Sequence, residues 1–163
     1  MRFIDPHLHT DMIDDVILEN LSMAGMEAAI VPSPHMLKGS GNSDTILRLW
    51  NRFLDFEIKS GKAMGYELFA SLSIPFYGLD RKSIDTCLKE LPEYLKHERV
   101  VAMGEIGLDC AIPDERELFK DHLQIAKEHD IPLIVHTPIR LAPQAPEVIK
   151  NIVEILNEEK FPM

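Results

Sequence analysis

Four residues in this chain can do joint chemistry: His7 and His9 in Asp5-Pro6-His7-Leu8-His9, Glu105 in Met103-Gly104-Glu105-Ile106-Gly107-Leu108-Asp109, and His136 in Leu133-Ile134-Val135-His136-Thr137-Pro138. Side chains alternate across an extended strand, so His7 and His9 point the same way. Two imidazoles on one face, joined by a carboxylate and a third imidazole, make a nitrogen and oxygen donor set that zinc, manganese or magnesium accepts. Glu105 is hemmed in by Met103, Ile106 and Leu108. A carboxylate buried there without a partner is costly, so a cation is its expected companion. His136 follows three apolar residues, and a hydrogen-bonded core histidine is the competing interpretation.

Weaker candidates surround these four. Asp109 is expected either to fix a neighbouring ligand from behind or to serve a loop. Arg140 follows His136 closely enough to hold a substrate phosphate through a bidentate contact, with a solvated loop arginine as the alternative. His35, at the end of a strand, faces the expected mouth but reads as a loop histidine in water. Cys110 reads as a small apolar filler and His122 as packing on a helical face, while His97 and His129 suit helix ends.

These residues need strand ends to hold them. Short apolar runs alternate with longer amphipathic stretches. Strands are expected at residues 2–5, 28–31, 68–74, 99–103 and 131–135. Helices are expected from about Met12 to Gly25, from a cap at Ser43 or Asp44 through Ile46, Trp50, Phe53 and Leu54, and from Ser83 to Leu95 with a bend or split at Pro92. Two more follow, one on the Leu118, Phe119, Leu123, Ala126 stripe and one from Val148 to Leu156. Strand starts spaced by about 32 residues are the signature of right-handed βαβ units around a parallel sheet. His9, Glu105 and His136 then fall at carboxyl ends of strands, where parallel α/β folds place their chemistry. A doubly wound sheet and an eight-fold barrel share this local pattern. Donors spread over strands one, four and five favour the barrel, which brings distant strands around one mouth.

Composition sets the outer bounds. The 163 residues carry a net charge of −10 and fit a single domain. This charge argues against a broad basic nucleic-acid-binding face, though not against a phosphate substrate, since bound cations reverse the local field. Two distant cysteines, Cys87 and Cys110, fit a reducing cytoplasm. No membrane association is expected. Walker A, GxGxxG, GxSxG and paired CxxC motifs are absent from the sequence.

Three motifs occur here in order: Phe3-Ile4-Asp5-Pro6-His7-Leu8-His9; Gly104-Glu105-Ile106-Gly107-Leu108-Asp109 with the stripe of Phe119, His122, Leu123 and Ala126; and Pro132-Leu133-Ile134-Val135-His136-Thr137-Pro138. Together they resemble the TatD-like metal-dependent hydrolases of the amidohydrolase superfamily, and more closely their archaeal branch. The resemblance implies a TIM barrel holding two divalent metal ions that activate water against a phosphodiester, often of DNA, or a related ester. Carried over, His7 and His9 would bind one metal, Glu105 would bridge both and act in catalysis, and His136 would bind the other. It also implies a histidine from strand six and an aspartate from strand eight. Eight units need roughly 250 residues, so about five of the eight βα units are expected in residues 1–163, an incomplete barrel domain. Two functions follow as expectations: a metal-dependent hydrolase, or an inactive metal-binding or interaction protein. The open barrel is expected either to self-associate or to depend on a carboxyl-terminal part outside these residues.

Overall fold

A computed structural model describes residues 1–37, 39–139 and 141–162. Among the described residues, β1 (Phe3–Asp5), β2 (Met26–Pro32), β3 (Glu67–Leu72), β4 (Val100–Gly107) and β5 (Leu133–His136) form one sheet. All neighbours are parallel, and spatial order equals chain order. A doubly wound sheet reverses its strand order at a switch point. This sheet never does, so it is the curled arc of a (β/α) barrel.

Helices α1 (Asp15–Met23), α2 (Ser43–Arg52), α3 (Ile58–Ala63), α4 (Arg81–Tyr94), α5 (Pro113–Glu128) and α6 (Ala145–Glu158) supply the crossovers. Their apolar faces bury Ile46, Trp50, Phe53, Leu91, Phe119, Leu123 and Ile155 against the sheet. Gly107 permits the closest approach of β4 and β5, because a Cβ there would meet the His136 carbonyl oxygen at 2.1 Å. Among the described residues no helix is long and apolar enough to cross a membrane.

Several boundaries differ from expectation. A separate 3₁₀ turn (Thr10–Met12) precedes α1, whose cap is Asp14; Gly25 follows the helix with φ +103°, as a terminating glycine should. Asn42, not Ser43 or Asp44, caps α2 through a reciprocal capping box with Thr45. A π-helical turn (Phe53–Glu57) joins α2 to α3 and brings Glu57 inward, where Arg52 pairs with it at 2.6 Å. Helix α4 runs through Pro92 unbroken. Pro92 lies in the last turn, so it removes one backbone bond near an end that frays in any case. Strand β4 extends to Gly107, which places Glu105 inside the strand rather than beyond it.

Candidate metal centre

The first donors are set by local chemistry. Pro6 cannot donate a backbone hydrogen bond, and the Asp5 side chain accepts the His7 N–H at 2.9 Å, which turns the chain after β1. Leu8 N–H donates to the Ile30 carbonyl at 2.9 Å, so the segment stays tied to β2. His7 Nε2 and His9 Nε2 thereby come to 3.0 Å from each other. Across the arc, Glu105 N–H donates to the Ser33 carbonyl at 3.1 Å, and Ser33 N–H reaches the carbonyls of Ser71 and Gly104. One buried serine backbone thus locks three strands beneath the glutamate.

The Glu105 side chain closes the group. Its Oε1 lies 2.6 Å from His7 Nε2 and 3.7 Å from His9 Nε2, and its Oε2 lies 3.8 Å from His136 Nδ1. Burial by itself would raise the Glu105 carboxyl. The imidazoles of His136 and His9 beside it, with the charge of His7, outweigh burial and hold it well below the usual carboxylate range. The same carboxylate raises His9. For His136, burial works downward, but Glu105 and Asp109 outweigh it and the net direction is up.

A second group adjoins the first. Asp109 Oδ1 lies 3.1 Å from His136 Nε2, and Asp109 Oδ2 lies 3.2 Å from His35 Nε2. The rings of His35 and His136 stack, with centroids 3.8 Å apart and planes within 7°. His35 is only 7 % exposed, which corrects its expected place in solvent. Burial pushes its imidazole down, and His136 alongside adds to that.

The donor chemistry fits a divalent cation. Donors about 2.0–2.1 Å from a tetrahedral ion stand ~3.3 Å from one another, and the His7, His9 and Glu105 atoms are spaced at 3.0, 2.6 and 3.7 Å. Without an ion, one Nε2 donates its N–H to the other across 3.0 Å; a cation held by both would take the place of that hydrogen.

The sequence profile described as "TatD related DNase" matches residues 4–163. The chain belongs to this family. A relative from Methanocaldococcus jannaschii, described as an uncharacterized metal-dependent hydrolase, is 33% identical over 158 residues, covering 97% of this chain and 61% of its own length. YjjV of Escherichia coli, described in the same words, is 32% identical over 149 residues, covering 83% of this chain and 51% of that protein. Among solved structures, a TatD-like protein from Archaeoglobus fulgidus superposes with a TM-score of 0.81 at 25% identity, over 98% of this chain and 65% of that one. The chain thus spans between half and two thirds of the length of these TatD relatives.

Against that TatD frame, the structure brings His7, His9, Glu105 and His136 to one mouth. Asp109 is there too, at hydrogen-bond distance from His136. Arg140 lies outside the described residues. Cys110 is exposed and not an apolar filler. His122 is packing, as expected: it accepts the Ile74 N–H at Nε2 (3.1 Å), with Nδ1 2.8 Å from the Leu118 carbonyl. Sequence reasoning missed Glu115. Its buried carboxylate accepts the N–H groups of Asp109, Cys110 and Ala111 at 2.6, 3.1 and 2.6 Å and shapes the loop that carries Asp109. The available signal was an acid two residues after Pro113, in the first turn of a helix.

Proposed function

We propose that residues 1–163 form an incomplete barrel domain that holds the metal centre of a hydrolase acting on phosphodiesters, with DNA as the substrate class, or on related esters. The observation that carries this is the convergence of His7, His9 and Glu105, with His136 on the far side of the same carboxylate. His7 and His9 would hold one divalent ion and His136 the other, with Glu105 a donor to both, and zinc, manganese and magnesium all suit the donors. When bound, such a pair acidifies water and clamps the attacked and departing oxygens of an ester.

The chain's own residues prepare for this. Glu105, strongly ionised, stands between the two histidine groups and balances the incoming charge. His7 and His9 would coordinate as neutral imidazoles. Asp109 keeps the His136 ring turned toward the centre. Arg140 is proposed as the contact for a substrate phosphate.

Hydrolysis of bis-(p-nitrophenyl) phosphate and of DNA by the metal-loaded chain tests the proposal. Chelator-sensitive turnover that Glu105→Gln abolishes is expected. It should be slow, because the strand-eight aspartate of the resemblance falls outside these residues and a positioned general base contributes ~10²–10⁴-fold. Turnover equal in Glu105→Gln and unaffected by chelator would refute it.

A further inference from the structure

Helix α2 presents two guanidinium groups to one cleft at the mouth of the sheet. Arg48 and Arg52 stand one turn apart on it and line a cavity of about 350 Å³. Asp11 and Met12, on the turn after β1, and Met36, after β2, line it from the loop side. Parallel α/β folds work at this end of their strands, and Asp11 joins the cleft to the metal centre: its Oδ1 is 3.8 Å from His9 Nδ1. Like charges four residues apart on a helix repel each other. Arg52 is steadied from behind, with Nη2 2.6 Å from Oε1 of the buried Glu57 on the π-helical turn. Arg48 is not. Among the described residues, Arg2, Arg52, Arg81 and Arg99 each pair with an acid, and Arg116 bonds Asn151. Arg48 does neither, in a chain where acids outnumber bases 27 to 17. Met12 and Met36 are exposed beside it, two soft apolar side chains next to two cations.

We infer that this cleft is a nucleotide subsite: Arg48 and Arg52 bind a substrate phosphate other than the one at the metal centre, and Met12 and Met36 take the base attached to it. A phosphate between the guanidinium groups turns their mutual repulsion into charge-assisted contacts. Thioether sulfurs pack favourably against aromatic rings, which suits a nucleobase better than a bare anion. Glu57 sets Arg52 before the ligand arrives, and Arg48 supplies the unpaired charge. This rests on the phosphodiester reading above and deepens it. A substrate that fills both places carries at least two phosphates, so a strand of nucleotides fits where a small ester reaches the metal centre alone.

Fluorescence anisotropy of a labelled single-stranded oligothymidine, read at low salt with chelator present, tests the subsite without metal or turnover. The parent should bind. Arg48→Gln and Arg52→Gln should each weaken binding ~10-fold and lower the slope of log Kd against log salt by ~0.7. Arg81→Gln removes an equal charge from α4, outside the cleft, and should change neither. Met12→Ser/Met36→Ser should weaken binding and leave the slope as it is. Thymidine 5′-phosphate should displace the label at lower concentration than inorganic phosphate does. Circular dichroism checks each fold; if Arg52→Gln unfolds by stranding Glu57, the exposed and unpaired Arg48 still decides. No binding by the parent, or parental affinity and slope in Arg48→Gln, would overturn the inference. Equal displacement by the two phosphates would overturn the nucleotide assignment. Arginine-dependent binding without any chelator-sensitive hydrolysis would instead remove the hydrolase reading and leave the subsite standing.

Discussion

Glu115 Oε1 accepts the backbone N–H of Asp109 at 2.6 Å, so a buried carboxylate on the first turn of α5 sets the position of an acid at the mouth of the sheet. Its other oxygen takes the N–H groups of Cys110 and Ala111, and Ala111 adopts φ +56°, a left-handed conformation that a non-glycine residue holds only with support. Glu115→Ala leaves three donors without their acceptor. It should destabilise the fold by ~3 kcal/mol, measured by urea unfolding, and loosen the Asp109 loop. Stability within ~0.5 kcal/mol of the parent would show that water replaces the carboxylate at no cost.

Metal content should follow the histidines of the first segment. Purified without chelator, the parent chain is expected to carry divalent metal, and His7→Ala/His9→Ala to carry substantially less. Equal content in the two proteins, determined by elemental analysis, would remove His7 and His9 from the centre.

His122 predicts an acid-labile fold. Its complete burial, together with nearby His35, outweighs the Leu118 carbonyl and lowers the imidazole to about 4 from an ordinary value of 6.5. The unfolded chain therefore binds a proton that the folded chain refuses between these values. Stability is fully present above pH ~6.5 and declines as pH falls to ~4, by up to ~3 kcal/mol from this group. Denaturant titrations at pH 7 and pH 4.5 should show the loss in the parent and a smaller one in His122→Gln. An identical pH slope in both proteins would contradict the assignment.

Edges predict association. Strands β1 and β5 end the sheet, all four residues of β5 are only half-buried, and Ile4 on β1 is 64% exposed. Beside β5 an apolar groove is lined by Ile131, Leu133, Val135, Leu156 and Phe161. Unpaired parallel edges with apolar flanks favour pairing with another copy. Sedimentation of the 163-residue chain should depend on concentration, and its thermal midpoint should rise with protein concentration. A cooperative, concentration-independent monomer would refute this.

The order of strands and helices was legible in the sequence, and so were the four residues that the fold brings to one mouth, because each rests on local periodicity. Period-two alternation made His7 and His9 neighbours before any fold was considered, and apolar runs placed Glu105 and His136 near strand ends. Local rules also misled. They put the α2 cap one or two residues late, bent or split α4 at Pro92 and left Glu105 outside its strand, since caps, prolines near helix ends and strand lengths are decided by partners elsewhere in the chain. Choosing the barrel arc over a doubly wound sheet required the strand order, a global property that every local segment is compatible with. His35 looked like an ordinary loop histidine until β2 and β5 stacked it on His136, and Glu115 went unnoticed because its role depends on the turn after β4 folding back over it. Sequence determines which groups each element carries and which way they face; only packing decides which groups meet, because contact between residues 35, 109, 115 and 136 depends on the curl of the sheet that joins them.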